Sequence, residues 1–267
     1  MAQENTKKNT IAIPDAKTKR KRALVFVIVS ACIITAFIFF LFWFNKLMFK
    51  SNPRLTFREL QVSSSGYWHK KDNELIRLLK LKRNVNIFEL DLKKIRMQLR
   101  NIPSVENAQV FRILPDTLRV DITERMPRAF INYPYSRWVV DENAVVMERR
   151  HSMAAKINLP QITGVPHAKL AGGDRLPEIK HALDLIGTVL RNFPDMEMQL
   201  VSVSDPEQLD FYIRYRNGRT YRVLMPTRNR GLDFMLNALQ SAIIHAYQLG
   251  DERTTYNLSF DGQVVIN

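Results

Sequence analysis

The residue types that usually carry enzymatic or metal-binding chemistry are few and widely spaced in this sequence of 267 residues. The histidines follow no metal-binding spacing such as H-E-x-x-H, so each is interpreted as a surface or helix-face residue. They are His69, His151, His167, His181 and His245. The one cysteine, Cys32, has no second thiol with which to form a metal site or a disulfide. We therefore expect no metal centre.

Nucleophilic and phosphate-binding motifs are missing as well. The sequence contains neither a G-x-S-x-G elbow nor an S-x-x-K nucleophile, and "AGGDRL" (171–176) lacks the context of a phosphate-binding loop. Asp141 and Glu142 form an acidic pair, but neighbouring residues of a strand point to opposite faces. We interpret Asp141 and Glu142 as turn residues and not as a catalytic pair. The prediction is a protein that is not an enzyme, with no cofactor and no small-molecule substrate.

Residues 23–44, "ALVFVIVSACIITAFIFFLFWF", contain no charged side chain. A helix of this length would be about 33 Å long, which matches the hydrocarbon core of a bilayer. A cleaved signal peptide is the alternative, but its apolar core would be about 7–15 residues long and would end at small residues. Because this run is longer and ends in Phe42-Trp43-Phe44, we predict a transmembrane helix that is retained.

The charge around this segment predicts its orientation. Residues 1–22 carry seven lysines and arginines, and "KRKR" (19–22) lies directly beside the apolar run. Cytoplasmic flanks carry the excess of basic residues, so we expect a cytoplasmic tail at 1–22 and exported C-terminal domains, although the flank after the helix is also basic. The net charge is +14, and about +9 of it belongs to the exported part. "KTKRKR" could bind nucleic acid, but beside an apolar span it is interpreted as a topology signal that contacts anionic lipid.

The first exported stretch alternates strand and helix patterns. We predict a strand over 55–64 with a bulge or bend between Phe57 and Leu60, then a helix that begins at the N-cap Asp72. Asp91 is predicted to cap a second helix, which Pro103 ends. Two strands joined by a turn at Pro115-Asp116 follow. The order β-α-α-β-β predicts an α+β domain in which two helices cover one side of a three-stranded sheet.

The rest of the sequence predicts a mixed β-sheet domain with two helices. Ile179, Leu183, Ile186 and Leu190 indicate a helix with a buried face, and a second helix is predicted over 232–249. Strands are predicted at 198–204, 208–215 and 219–226, the last two joined at Asn217-Gly218. A final hairpin with Asp261-Gly262 at its turn ends in "QVVIN" (263–267). A terminal strand often lies at a sheet edge, where unpaired backbone groups are open to a partner.

These residues carry a resemblance to a known family. The run "IPSVENAQVFRILPDTLRVDITERMPRA" (102–129) resembles the POTRA domain of the FtsQ/DivIB family of bacterial cell-division proteins. "RWVVDENAVV" (137–146) and "LPQITG" (159–164) resemble the hairpin and the turn that follow in that family. The matching positions of the long run are Pro103, Val105, Ala108, Val110, Arg112, Pro115, Leu118, Val120, Glu124, Arg125, Pro127 and Ala129.

The resemblance implies a domain plan and a function. It implies a transmembrane helix at 23–44, a POTRA domain at 54–126 and a β-domain at 127–267, in a single-pass inner-membrane protein at the division septum. Its role would be to recruit partners of the FtsB/FtsL type by β-strand addition to the C-terminal edge. Carried onto this sequence, that edge comprises Phe260, Gln263, Val264, Val265, Ile266 and Asn267. The family often has Asp-Leu-Arg where this sequence has Asn257-Leu258-Ser259, so a salt bridge made by those charges is not carried over.

Two other classes are weighed against this interpretation. A POTRA-bearing periplasmic chaperone or transport-assembly component would usually carry tandem POTRA copies and the many alternating strands of a barrel, and the sequence indicates neither. An envelope enzyme would need a nucleophile or an acid–base pair in a recognisable setting. A non-catalytic docking protein remains the prediction.

Overall fold

The computed structural model describes residues 16–46, 52–132, 137–156, 158–165, 170–227, 231–259 and 264–266. Helix α1 (Ala16–Asn45) contains the apolar stretch Leu24–Phe44, none of which is buried against the rest of the chain. By length and composition this stretch can cross a membrane, and its exposure sets it apart from the core helix of a soluble domain.

Residues 59–124 fold around a three-stranded sheet, which we call the N-terminal sheet. Its elements are β1 (Glu59–Ser63), α2 (Asp72–Leu78), α3 (Leu92–Arg100), β2 (Val105–Ile113) and β3 (Thr117–Glu124). The strand order is β1-β3-β2, in which β1 is parallel to β3 and β2 is antiparallel to it. The predicted β-α-α-β-β order is confirmed.

Helix α3 packs on this sheet as its spacing predicts. Ile95 and Leu99 are buried in one cluster with Val110 of β2 and Val120 of β3. The Asp91 carboxylate accepts hydrogen bonds from the backbone N–H groups of residues 93 and 94 at 3.0 and 3.1 Å, which confirms the predicted cap. Alternate residues of the strands remain exposed on the opposite face, so the sheet has one covered and one open side.

Two predicted boundaries in this region were wrong. The first strand begins at Glu59 because a 3-10 turn (Pro53–Leu55) precedes it and Phe57 lies before the ladder, with its N–H bonded to the Val85 carbonyl at 2.9 Å. The phase slip between Phe57 and Leu60 therefore marks the entry to the strand and not a bulge. Asp72 is the first residue of α2 and not its N-cap, a position where a carboxylate still interacts favourably with the helix dipole.

The remaining chain builds a mixed sheet of nine strands, which we call the C-terminal sheet. Its strands are β4 (Pro127–Ile131), β5 (Trp138–Asp141), β6 (Val146–Glu148), β7 (Gln161–Thr163), β8 (Met196–Ser202), β9 (Gln208–Tyr215), β10 (Thr220–Pro226), β11 (Thr255–Asn257) and β12 (Val265–Ile266). Their order is β12-β11-β10-β9-β8-β7-β4-β5-β6. The pairs β4/β7, β7/β8 and β10/β11 are parallel and the others are antiparallel.

Two helices, α4 (Lys180–Asn192) and α5 (Leu232–Gln248), supply buried side chains to the core of this sheet, as predicted. The stripe predicted for α4 is wrong at one position, because Leu190 is 66% exposed. Leu190 lines an open groove together with residues 158–160 and with residues of β4 and β8. The hairpin at Asn217-Gly218 is confirmed, and Gly218 has the positive φ of 79° that its turn requires.

Candidate interaction site

The side chains that could have carried chemistry serve structural roles. The described residues contain no group of three or more His, Cys, Asp or Glu side chains that could hold a metal ion. The Asp141 carboxylate accepts hydrogen bonds from the N–H groups of Asn143 and Val145 at 2.9 and 2.8 Å, which is the turn role expected of it. Glu142 is exposed and pairs with Arg128 at 3.2 Å. The two carboxylates therefore do not form a shared site.

Strand β12 forms one edge of the C-terminal sheet. Within the part of the chain that the structure describes, it pairs with β11 alone, through Tyr256 opposite Ile266 and Asn257 opposite Val265. The predicted position of the last strand at a sheet edge is thus confirmed. Of the six residues predicted to bind a partner, Val264, Val265 and Ile266 lie together on this edge. Phe260, Gln263 and Asn267 lie outside the described residues, as does the predicted turn Asp261-Gly262.

The opposite edge of the same sheet is covered by the chain itself. The N–H of Val146 in β6 donates to the Asp174 carbonyl at 2.8 Å, and the N–H of Gly173 donates to the Val146 carbonyl at 2.8 Å. Residues 144 and 176 add another backbone hydrogen bond along the same side. The loop therefore blocks β6 as a template for strand addition, and β12 is the more accessible of the two outer strands.

Within β12, Ile266 presents its backbone to the open side. The N–H of Arg222 in β10 donates to the Thr254 carbonyl at 2.8 Å, so residues 254 and 256 face β10 and Asn257 directs its backbone groups to β12. Successive residues of a strand direct their backbone N–H and C=O groups to opposite edges. Val265 lies opposite Asn257 and therefore bonds to β11, and we infer that Ile266 directs its N–H and C=O away from β11. The side chains of Val264 and Ile266 pack against the core, which fixes the face of the strand.

A cluster that the sequence reading missed holds this edge in place. Arg253 donates through Nε and Nη2 to the Asp251 carboxylate, at 3.0 and 2.6 Å to the same oxygen, while its Nη1 reaches the Ile266 carbonyl at 3.1 Å. The Tyr256 side chain is fully buried, with its ring edge-on to Tyr221 at a centroid distance of 5.6 Å. The signal in the sequence is Asp251-x-Arg253 directly after a helix end, a spacing at which the two charged side chains can pair.

The Asp251–Arg253 pair makes the anchoring of the edge sensitive to acid. The side-chain hydrogen bonds from Arg253, followed by its backbone N–H, lower the pKa of Asp251 from 3.8 to about 2. Because the pKa is lowered in the folded protein, the pair contributes fully above pH 3.8 and is lost as the pH falls towards 2. The Asp251 side chain is 20% exposed, and its role is to orient Arg253 against β12.

Replacing Arg253 with alanine is expected to speed amide hydrogen exchange in residues 264–266, because β12 loses its bond to the Ile266 carbonyl. Hydrogen exchange followed by mass spectrometry measures this effect. Arg222→Ala is the matched control, since Arg222 makes a comparable two-point pair with Asp210, at 3.1 and 2.7 Å, on the same sheet. Equal acceleration of β12 exchange in the two variants would contradict the assignment.

The two sheets are joined by an ion pair that is largely buried. Nη1 of Arg125, directly after β3, donates to the Asp141 carboxylate in β5 at 2.9 Å, with 18% and 5% of the two side chains exposed. The Arg125 N–H also donates to the Ser104 carbonyl at 2.9 Å. Nearby, the rings of Tyr67 and His151 lie 5.4 Å apart, one from each side of the junction.

Glu124 fixes the N-terminal side of this junction. Its carboxylate accepts hydrogen bonds from the Ser64 hydroxyl and from the N–H groups of Tyr67 and Trp68, the latter two at 2.8 Å. A Cβ at Gly66 would lie 2.6 Å from the Glu124 Cδ, so glycine is needed where the carboxylate meets the loop. Glu124 and Arg125 thus act on opposite sides of the junction, one on the loop and one on β5.

Known proteins match both the N-terminal sheet region by itself and larger parts of the chain. Residues 57–125 match a family model described as "POTRA domain, FtsQ-type". A protein of Koribacter versatilis named "Cell division protein FtsQ" is 28% identical over 77% of this chain, which spans 59% of that relative's length. "Cell division protein DivIB" of Clostridium acetobutylicum is 26% identical over 73% of this chain and 76% of its own length. "Cell division protein FtsQ" of Syntrophotalea carbinolica is 30% identical over 42% of this chain and 40% of its own length.

One N-terminal apolar helix, an FtsQ-type POTRA domain and a mixed sheet with further helices define a POTRA protein with a candidate membrane anchor. The chain is similar to proteins named FtsQ and DivIB over 77% and 73% of its length, and its POTRA domain matches the FtsQ type. The names of these relatives support a role in cell division, and one apolar helix fits a single-pass membrane protein.

Proposed function

We propose that this protein is a non-catalytic, membrane-anchored scaffold of the bacterial division machinery. Its exported domains recruit partners of the FtsB/FtsL type at the septum, and a partner strand adds to the open side of β12. The accessible β12 edge, contrasted with the covered β6 edge, is the observation that carries this proposal. In strand addition, main-chain hydrogen bonds supply affinity and alternate side chains select the partner.

The arrangement of the edge supports strand addition as the binding mode. Arg253 and the buried Tyr256 hold β12 before any partner arrives, so less conformational entropy is lost on binding. The ion pair between Arg125 and Asp141 joins the two sheets and so fixes the N-terminal sheet relative to the β12 edge. A scaffold needs this fixed geometry more than it needs a deep pocket.

The proposed orientation places residues 1–22 in the cytoplasm and both sheets outside the inner membrane. It rests on the seven basic residues before the apolar helix. In the exported compartment the chain has no cysteine, so ordinary packing holds both domains together.

A fluorescent protein fused to the N-terminus is expected to form a midcell band in dividing cells, and depletion of the protein is expected to produce filaments. The measurement uses the source organism, with cell length scored against a wild-type control. An even envelope signal with normal division would overturn the division role. That outcome would favour the alternative class of a periplasmic chaperone or transport-assembly component.

Recruitment is tested separately from localisation. The full chain is expressed with the FtsB-type and FtsL-type proteins of the same genome, and the complex is purified in detergent through a tag on this chain. Co-purification of the partners supports the proposed recruitment. Failure to retain either partner while the midcell band persists would place recruitment elsewhere and leave the division role intact.

A further inference from the structure

One end of the N-terminal sheet is both apolar and basic. It is formed by three segments, 52–59, 80–90 and 111–117, and we call it the hairpin end. The N–H of Arg58 donates to the Asp116 carbonyl at 2.9 Å, and the N–H of Ile87 donates to the Leu55 carbonyl at 2.8 Å, so backbone hydrogen bonds join the three segments. The guanidinium of Arg112 adds hydrogen bonds to the carbonyls of Ile87 and Leu90, at 2.9 and 2.6 Å.

Large apolar side chains are exposed around this end. Leu114 at the tip is 56% exposed, and Phe111, Ile113 and Phe88 are 40–44% exposed. The Arg112 guanidinium lies over the Phe88 ring at 5.6 Å, which holds this ring beside the hairpin. Exposed apolar residues gathered at one end of a domain mark an interaction surface, whereas scattered single residues do not.

The charge at this end is mainly positive. The three segments contain five exposed cationic side chains and two exposed carboxylates, while Arg112 and Asp116 are half-buried. The exposed cations are Arg54, Arg58, Lys80, Lys82 and Arg83, and the exposed carboxylates are Glu59 and Glu89. Apolar side chains rimmed by lysine and arginine have the composition that binds an anionic lipid surface.

The chain itself places this end next to a membrane. The apolar stretch of α1 ends at Phe44, and Lys46 is exposed one residue beyond the helix. Asn52, where the hairpin end begins, follows Lys46 by six residues, which can span at most about 22 Å when fully extended. Strand β3 runs away from the hairpin end and reaches the C-terminal sheet at Glu124, so the second domain leaves this end exposed.

We propose that the hairpin end lies against the membrane that α1 crosses. Leu114, Ile113 and the two phenylalanines contact the interfacial region, and the five exposed cations contact anionic lipid headgroups. This second attachment limits the tilt of the POTRA domain about its short tether and so orients the β12 edge relative to the membrane. The proposal requires only that α1 spans a membrane and is independent of the partner bound at β12.

The test uses the full chain with Cys32→Ser, reconstituted into vesicles and labelled with a fluorophore at Leu114→Cys. Leu249→Cys is the matched control, because Leu249 is 72% exposed but lies just after α5 in the second domain. Acrylamide, a neutral aqueous quencher, reports how far each label is exposed to water. In phosphatidylcholine vesicles containing phosphatidylglycerol, we expect a several-fold smaller quenching constant at position 114 than at position 249.

Removing phosphatidylglycerol, or introducing Arg54→Glu with Arg58→Glu, is expected to narrow this difference. Circular dichroism checks that each variant stays folded. Equal quenching at the two positions in anionic vesicles would overturn the proposal. A difference that persists unchanged both without phosphatidylglycerol and in the double variant would overturn the role of the basic residues.

Discussion

Replacing Ile266 with proline is expected to weaken capture of the FtsB/FtsL-type partner by at least about tenfold, which corresponds to about 1.4 kcal/mol. Proline removes the N–H that we infer to face the open edge, and a lost hydrogen bond of this kind costs about 0.5–1.5 kcal/mol. The proline ring also obstructs the approach of a strand at that point. The fold should survive, because Val265 keeps its pairing with Asn257 of β11.

Ile266→Val is the matched control, since valine keeps both the β-branched shape and the backbone donor. Affinity is measured with the full chain in detergent against its co-expressed partner, and circular dichroism confirms the fold of each variant. Retained capture by the proline variant would exclude β12 as the docking strand. Equal loss in both variants would instead assign the effect to the isoleucine side chain.

Local patterns predicted the element order well because each pattern has its own physical cause. The spacing of Ile95 and Leu99 after an Asp cap defines an amphipathic helix without reference to the rest of the chain. The alternation of Leu118, Val120 and Ile122 does the same for a strand with one covered face. The predicted domain boundaries, 54–126 and 127–267, remain predictions.

The predicted start of β1 and the predicted apolar stripe of α4 were wrong because both depend on contacts outside the local sequence. Phe57 carries an apolar pattern but sits before the β1 ladder, because its N–H bonds to the loop at Val85. Leu190 continues the helical stripe of α4, yet it lines an open groove and is left exposed. In both cases tertiary context decides what the apolar residue contacts.

The position of the last strand at a sheet edge was predicted from the sequence, but the contacts that support this edge could not be predicted. A terminal strand is a reasonable candidate for an edge, and β12 is one. The long reach from Arg253 to the Ile266 carbonyl and the covering of β6 by Gly173 and Asp174 depend on segments brought together only by the fold. Glu124 and Arg125 were identified as motif residues from the sequence. Their separate roles at the junction became evident only from the structure.

Replacing Arg125 with alanine is expected to destabilise the protein by about 3 kcal/mol, because it leaves the buried Asp141 carboxylate without its cationic partner. Asp141 keeps its bonds from the N–H groups of Asn143 and Val145, so the turn should persist while the junction loosens. Denaturant unfolding followed by circular dichroism measures the loss of stability. Hydrogen exchange should accelerate in residues 64–70 and 137–151, which face each other there.

Arg128→Ala is the matched control, because Arg128 lies only three residues after Arg125. It pairs with Glu142, whose side chain is 65% exposed. A surface pair of this kind contributes about 0–1 kcal/mol, so this variant should be close to the wild type. A double variant, Arg125→Ala with Asp141→Ala, should lose less stability than the two single variants added together, because the two residues interact. Equal destabilisation by Arg125→Ala and Arg128→Ala would mean that the junction is held by its apolar contacts, and the fixed geometry proposed for the scaffold would then have to come from those contacts.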